Sequence, residues 1–577
     1  MRGGLLSLLL MNALMVAGCS GRRDGPGAGE FARFVDAHFE KYFEWRPSSA
    51  TSTGFHQYDD RLEDFSGPAI RVRIATLSEE LVRLGRIRQQ ELFGQDQIDY
   101  EVLDGQLRAE LLDLETLRVL QTNPMPYVSL SGEAVDALMK RDFAPKAVRL
   151  RSVIARLRKV PPLLEAMQAN VTEPPREFTE LALRVASGSV AFFTETVKKW
   201  AEDAAGGDAS LRREAVEASQ SAGEAMRGAA AWLKKDLLSK SQGSYAIGAE
   251  NFSRKLLYEE MVDIPLKRLL EIGEANLEKD RQAFIETARR IAPGKSPMEA
   301  MRMISSDHPA EGQLVESTKR TVDGIRQFLV DRHIVAIPSE VRPIIAETPP
   351  YARASGFAMM DTPGPYEPKA TEAFYYVTPP EKDWPAARRE EHLRLFNRPV
   401  MEIITIHEAW PGHYLQFLYA RQFPTKTRKL VYCSTNVEGW AHYGEQMMLE
   451  EGFGGGEPRT RLAQLSEALL RDCRYLVGIR LHTQGMTVEE GTRFFMEKGY
   501  AERAVALEEA RRGAYDPTYL YYTLGKLMIY QLREDYRKAK GTAYSLNGFH
   551  NDFIRLGGIP IKLVRRILLP QDTASVL

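Results

Sequence analysis

Two short runs hold the residues that could do chemistry. They are His407-Glu408-Ala409-Trp410-Pro411-Gly412-His413 and Val437-Glu438-Gly439-Trp440-Ala441-His442-Tyr443-Gly444-Glu445. A hydrolytic zinc takes three protein ligands and keeps one position open for water. It works beside a carboxylate that touches the water without binding the metal. His407, His413 and Glu438 fit the three ligands, and Glu408 fits the general base that takes the water's proton and hands it to a leaving amine. A lone histidine or glutamate on a helix is ordinarily structural; the ordered set is what points to Zn(2+) and hydrolysis.

The spacing sets a geometric condition. Residues four apart share a helix face, whereas His413 follows His407 by six (413 − 407 = 6). A regular helix would turn His413 about 120° away from that face. Pro411 and Gly412 fall inside the gap and disrupt regular helix. We therefore expect a two-residue looped insertion that returns His413 to phase. Glu438 comes 25 residues after His413 (438 − 413 = 25), room for a connection and an antiparallel return. Glu438, His442 and Glu445 lie at i, i+4 and i+7, one helical face. His442 and Glu445 are then expected behind the ligands, orienting them or the water, with His442 as an alternative ligand.

Further along, Tyr522, or else Tyr519, could donate to a tetrahedral oxyanion, although tyrosines at helical spacing equally suit a core. His482 fits another donor to the intermediate or a satisfied core histidine. Arg533 or Lys526 could hold a substrate carboxylate, or could sit on a solvated helix face.

The elements that must position these groups are mostly helical. Amphipathic spacing runs through 70–95, 99–121, 145–170, 176–203, 209–240 and 252–292, and helices are expected at 399–422 and 434–451. Residues 338–384 break the pattern with Pro, Gly and β-prone residues, and Phe374-Tyr375-Tyr376-Val377 is the best strand. This small sheet is either a plain structural hairpin or an edge with which an extended peptide pairs.

Bulk properties narrow the class. A chain of 577 residues exceeds one simple core, so at least two lobes are expected. Lys+Arg 77 against Asp+Glu 78 offers no basic surface for nucleic acid. Arg2, the apolar run Leu5 to Val16 and then Val16-Ala17-Gly18-Cys19 read as a signal peptide over 1–19. The cysteine after small residues resembles a bacterial lipobox, which implies a lipid anchor at Cys19. Ser20 at the next position resembles the pattern sorted to the outer membrane. Residues 20–30 read as a flexible tether and 31–577 as the folded body. Cys433 and Cys473 remain, to pair or to stay as separate buried thiols.

The double motif resembles the bacterial domain-of-unknown-function family 885, with its H-E-x-x-P-G-H and E-G-W-A-x-Y-x-E patterns. His407 to His413 and Glu438 to Glu445 match these, and Gln416 fits the continuation. Pro47, Ala50, Gly54, His56 and Tyr58 resemble the family's N-terminal segment; Arg474, His482, Tyr522, Gly525 and Arg533 resemble its C-terminal one. The chain departs at Asp516-Pro517-Thr518-Tyr519 and at Gly478, where the family often carries Pro-Gly-Gln-Ala and Asp. The His413–Glu438 spacing is also similar to that of helical zinc peptidases of the thimet oligopeptidase, angiotensin-converting enzyme and thermostable carboxypeptidase groups. That likeness implies a mainly α, two-lobed protein with a deep cleft and the metal at its floor. With the small β-sheet next to the zinc-motif helices, we expect an N-terminal lobe over about 31–335 and a zinc-site lobe over about 336–577.

The expectation is a lipid-anchored zinc metallopeptidase facing the periplasm and acting on oligopeptides. Two alternatives stay open: a peptide-binding lipoprotein with a structural or degenerate metal site, and a zinc amidohydrolase acting on cell-wall peptides.

Overall fold

The structure, a computed structural model, describes residues 27–353, 356–572 and 577. Cys19, the signal segment and residues 20–26 of the expected tether lie outside the described residues. The rest of that tether is not loose chain: helix α1 (Ala28–Trp45) begins inside it. Phe31, Phe34, Val35, His38 and Phe39 recur on one face of α1 and are buried, so packing draws the helix back to Ala28.

The fold is mainly α. Helices needed below are α2 (Pro47–Thr53), α3 (Met125–Met139), α4 (Leu266–Ile291) and α5 (Leu314–Asp331). Three short strands follow, β1 (Ile344–Glu347), β2 (Ala358–Asp361) and β3 (Phe374–Val377). β3 lies in the middle, parallel to β1 and antiparallel to β2. It is the segment the β-branched and aromatic run predicts. The chain continues through α6 (Arg398–Glu408), α7 (His413–Leu418), α8 (Ser434–Glu450), α9 (Pro458–Thr483), α10 (Arg503–Tyr515) and α11 (Tyr521–Lys540).

Buried apolar side chains form two clusters. One runs from Phe31 to Leu237 with Ala370; the other holds Ile98, Val102 and the buried apolar side chains from Phe252 to Leu569. The break between these two clusters falls near residue 240, because Phe252, Leu269 and Phe284 pack with the motif helices. α4 lies along α9, and α8 lies along α11. The second pair touches backbone to backbone. A Cβ on Gly439 would stand 2.6 Å from Gly525 Cα, and one on Gly525 would stand 2.0 Å from the Thr435 carbonyl oxygen. Glycine at both positions permits this approach, which carries Tyr522 towards the face that bears Glu438.

The sheet rests on α6, with the Tyr375 hydroxyl 3.3 Å from Thr405 Oγ1. Cys433 and Cys473 are separate, buried free thiols, so the pairing left open by the sequence does not form. Among the described residues no helix is long and apolar enough to cross a membrane.

Candidate metal centre

Helix α6 stops at Glu408 and α7 starts at His413. Between them the hydrogen bonds change step. Gly412 N–H donates to Ile406 O (3.0 Å) and Leu415 N–H to Ala409 O (3.2 Å), each six residues back. A regular α-helix bonds four residues back, so two extra residues are looped out here. Four-residue bonding holds on either side, from Ala409 N–H to Thr405 O (2.8 Å) and from Gln416 N–H to Gly412 O (3.1 Å). His413 thereby takes the turn position a fourth residue would have taken, as the spacing required. Gly412 has no substitute, since a Cβ there would lie 1.7 Å from His407 O. Trp440 Nε1–H on α8 donates to Pro411 O at 2.8 Å and ties the loop down.

Three ligand atoms converge. Glu438 Oε2 is 3.2 Å from His407 Nε2 and 3.3 Å from His413 Nε2. Atoms of all three residues lie within 4.8 Å of one another. A tetrahedral zinc with bonds of about 2.0–2.1 Å has ligand–ligand edges of about 3.3 Å. The donor set and spacing therefore fit a zinc ion held by His407, His413 and Glu438. Burial alone would lower the His407 imidazole, but hydrogen bonds with Glu438 and Glu445 outweigh it and raise it to about 9. Burial alone would raise the Glu438 carboxyl, but His413 and His407 hold it well below the usual range.

The ligands have a built backing. His407 Nδ1 lies 2.7 Å from Glu445 Oε1, which directs the Nε2 lone pair to the centre. Glu445 is wholly buried, with His442 Nδ1 at 3.0 Å from Oε2 and Arg471 Nη2 at 3.2 Å from Oε1. Against its burial, Arg471 first and His442 next keep Glu445 ionised far below the usual carboxylate range. Burial, and then the Lys526 charge, push His442 down to about 3, so its ring is neutral. His442 is not among the three converging residues.

Glu408 is half-buried, and among the described residues its carboxylate makes no hydrogen bond or ion pair with protein. It lies beside β3: burial and then Glu408 push the Tyr375 phenol up. Tyr522 stands next to the centre, its ring centroid 6.1 Å from that of His407. Its oxygen accepts from Arg512 Nη2 at 3.0 Å, which leaves the phenolic hydrogen free to donate elsewhere.

Other expected site residues are not brought to the centre. His482 is buried, with Nε2 2.8 Å from Gly513 O and its ring near Tyr245 and Phe252, the core histidine among its two readings. Tyr519 is fully buried and its hydroxyl is committed to Glu509. Arg533 donates to Tyr443 Oη at 3.1 Å and lies over the Tyr530 ring, away from the three ligands. Lys526 is buried 3.5 Å from Asp280 rather than solvated. Helical spacing does not say which face a long helix turns to its neighbours. Nor does it single out Arg471 or Arg512. Arg471 is one turn from Arg474, and Arg512 meets Tyr522 only through the chain reversal between α10 and α11.

A cavity of about 420 Å³ opens beside the centre. Phe417 and Val437 belong to its wall; the Phe417 ring is 6.3 Å from that of His413, and Val437 precedes Glu438. Residues of both apolar clusters line it, Phe43 from one and Phe423 from the other.

Solved structures that resemble this chain include two bacterial proteins. One, from Shewanella oneidensis, is described as a "putative lipoprotein of unknown function"; it is 26% identical with a TM-score of 0.76, over 93% of this chain and 99% of that one. The other, described as a "putative lipoprotein" from Colwellia psychrerythraea, is 16% identical with a TM-score of 0.79, over 94% of this chain and 98% of that one, and shares the fold. No curated protein matches. The family model "Bacterial protein of unknown function (DUF885)" matches residues 47–568, which carry every centre residue named above, and the chain belongs to that family.

Proposed function

We propose that this protein is a zinc-dependent metallopeptidase of the cell envelope that hydrolyses oligopeptides. The observation that carries the reading is the convergence of ligand atoms from His407, His413 and Glu438 to within 4.8 Å of one another. Three converging ligands, rather than four, leave a position for solvent, which favours a catalytic site over a closed structural one. A zinc ion there would acidify water and polarise a carbonyl.

The chain's own groups fill the other roles. Glu408 takes the proton of the attacking water while a new C–O bond forms at the scissile carbonyl. It then delivers that proton to the nitrogen as the C–N bond breaks. Tyr522, its oxygen held by Arg512, points a hydrogen at the developing oxyanion. Glu445 fixes the His407 ring. β2 flanks α6 at an edge of the sheet, so an extended peptide has a strand with which to pair.

The lipobox at Cys19, together with the descriptions of both structural neighbours, supports a lipid-anchored protein of the cell envelope. We place it at the outer membrane, facing the periplasm. A mixed peptide library incubated with and without chelator, read by mass spectrometry, tests the activity. Chelator-sensitive product ends are expected; an intact library with zinc-loaded protein rejects peptidase action. Cell-wall stem peptides in the same screen separate the amidohydrolase reading from general peptidolysis.

A further inference from the structure

The cavity beside the centre holds one unpaired charge of each sign. Glu133, on α3, makes no hydrogen bond or ion pair among the described residues, although it is open to water within the cavity wall. Its surroundings are poor in compensation: burial pushes its carboxyl up, and Lys140 only partly offsets this. Lys429 is the cavity's other uncommitted ion. Its Nζ lies 5.2 Å from the Tyr366 ring centroid and meets no carboxylate among the described residues. Arg428, the remaining lining cation, is spent on Asp99 at 2.8 Å and on Leu556 O. Arg428 is thus paired, while Glu133 and Lys429, the wall's other two charged groups, stand on different elements.

Their neighbours separate them. Tyr515, at the end of α10, is raised by burial, then Asp516, then Glu133. Lys429 instead faces Tyr366, whose ring is 4.8 Å from that of Phe55. The wall between them is mixed, with Ser52 and Thr53 from α2 and aromatic surface from Tyr42, Phe417 and Tyr432. Such a wall suits a backbone with side chains. A space of about 420 Å³ takes a few residues, not a folded chain.

We propose that this cavity binds short peptides with both ends free, Glu133 receiving the terminal ammonium and Lys429 the terminal carboxylate. The site then measures length and end chemistry, which confines action to small oligopeptides and spares proteins. This rests on the peptidase reading for its consequence, but not for the binding itself.

The test uses zinc-loaded full-length protein and a mixed-sequence pool of tetrapeptides. Matched pools are N-acetylated, C-amidated or blocked at both ends. Bound fractions are read by equilibrium dialysis and mass spectrometry, on Glu408→Gln protein so that turnover does not deplete ligand. Each block is expected to weaken binding roughly tenfold or more, the scale of a hydrogen bond to a charged group. Lys429→Met should abolish the penalty for amidation and leave that for acetylation; Glu133→Gln should do the reverse. Lys429→Arg and Glu133→Asp, which keep charge, should retain the discrimination and control for folding. Equal binding of free and blocked pools, no binding of any pool, or discrimination that survives both neutral variants overturns the proposal. Selective binding with no cleavage by wild-type protein would reject the peptidase reading and leave this one standing.

Discussion

His407 Nδ1 and Glu445 Oε1 are 2.7 Å apart, although 38 residues separate them (445 − 407 = 38) and Glu445 is sealed from solvent. A buried carboxylate so placed sets the tautomer and the aim of the ring. Arg471 in turn keeps that carboxylate charged.

The first prediction follows from this pair. Glu445→Gln retains the shape but removes the charge, and should weaken zinc affinity about 10- to 100-fold. Competition with a chromogenic chelator measures it. An unchanged affinity would show that Glu445 serves folding alone.

Glu408 bears a different expectation, because it is not among the three converging residues. Glu408→Gln should keep one zinc per chain and lose about 10²- to 10⁴-fold in turnover. Metal analysis and the peptide assay run on the same sample decide the matter. An active, fully loaded variant would remove Glu408 from the role of base.

Tyr522 and Arg512 should act as a unit. Tyr522→Phe is expected to cost about 10²- to 10³-fold in kcat with little change in zinc content. Arg512→Met should cost less, and nothing further once Tyr522 is phenylalanine, since its hydrogen bond acts through that oxygen. Additive losses in the double variant would mean that Arg512 works on its own.

A pH effect arises at a histidine outside the ligand set. His550 is wholly buried, with Nδ1 2.8 Å from Ile334 O and Nε2 2.8 Å from Tyr443 Oη. Burial lowers it to about 4, against 6.5 for the ordinary imidazole. The unfolded chain binds more protons between those values, so the stabilisation is complete above pH 6.5 and is lost as pH falls towards 4. The loss should reach about 3 kcal/mol. Chemical denaturation from pH 7 to 4 should show a shallower slope in His550→Gln, which is itself less stable at pH 7. An identical slope would mean that His550 is already protonated in the folded protein.

Much of the centre was legible before any coordinates. His407, Glu408, His413 and Glu438 are contiguous or helically phased, and local backbone geometry follows from local sequence. Even the looped insertion was readable, because Pro411 and Gly412 sit where six-residue spacing must be reduced to four. His442 and Glu445 were legible for the same reason, as they share the face of Glu438.

Tyr519, His482 and Arg533 are less legible. His482 and Arg533 lie on α9 and α11, which are buried on several sides at once, and Tyr519 lies in the turn before α11. Periodicity finds a buried face; it does not say which neighbour lies across it. Likewise the division of the apolar cores near residue 240, and the start of α1 at Ala28, depend on which surfaces meet. What the chain determined by itself is the list of reactive groups and their phase on each helix, since both are set within a few turns. Only the tertiary structure decided that Gly439 and Gly525 let two helices touch, that Arg512 reaches Tyr522, and that Glu133 and Lys429 share one cavity. Those are contacts between separate elements, fixed by packing and close approach, and no local pattern records them.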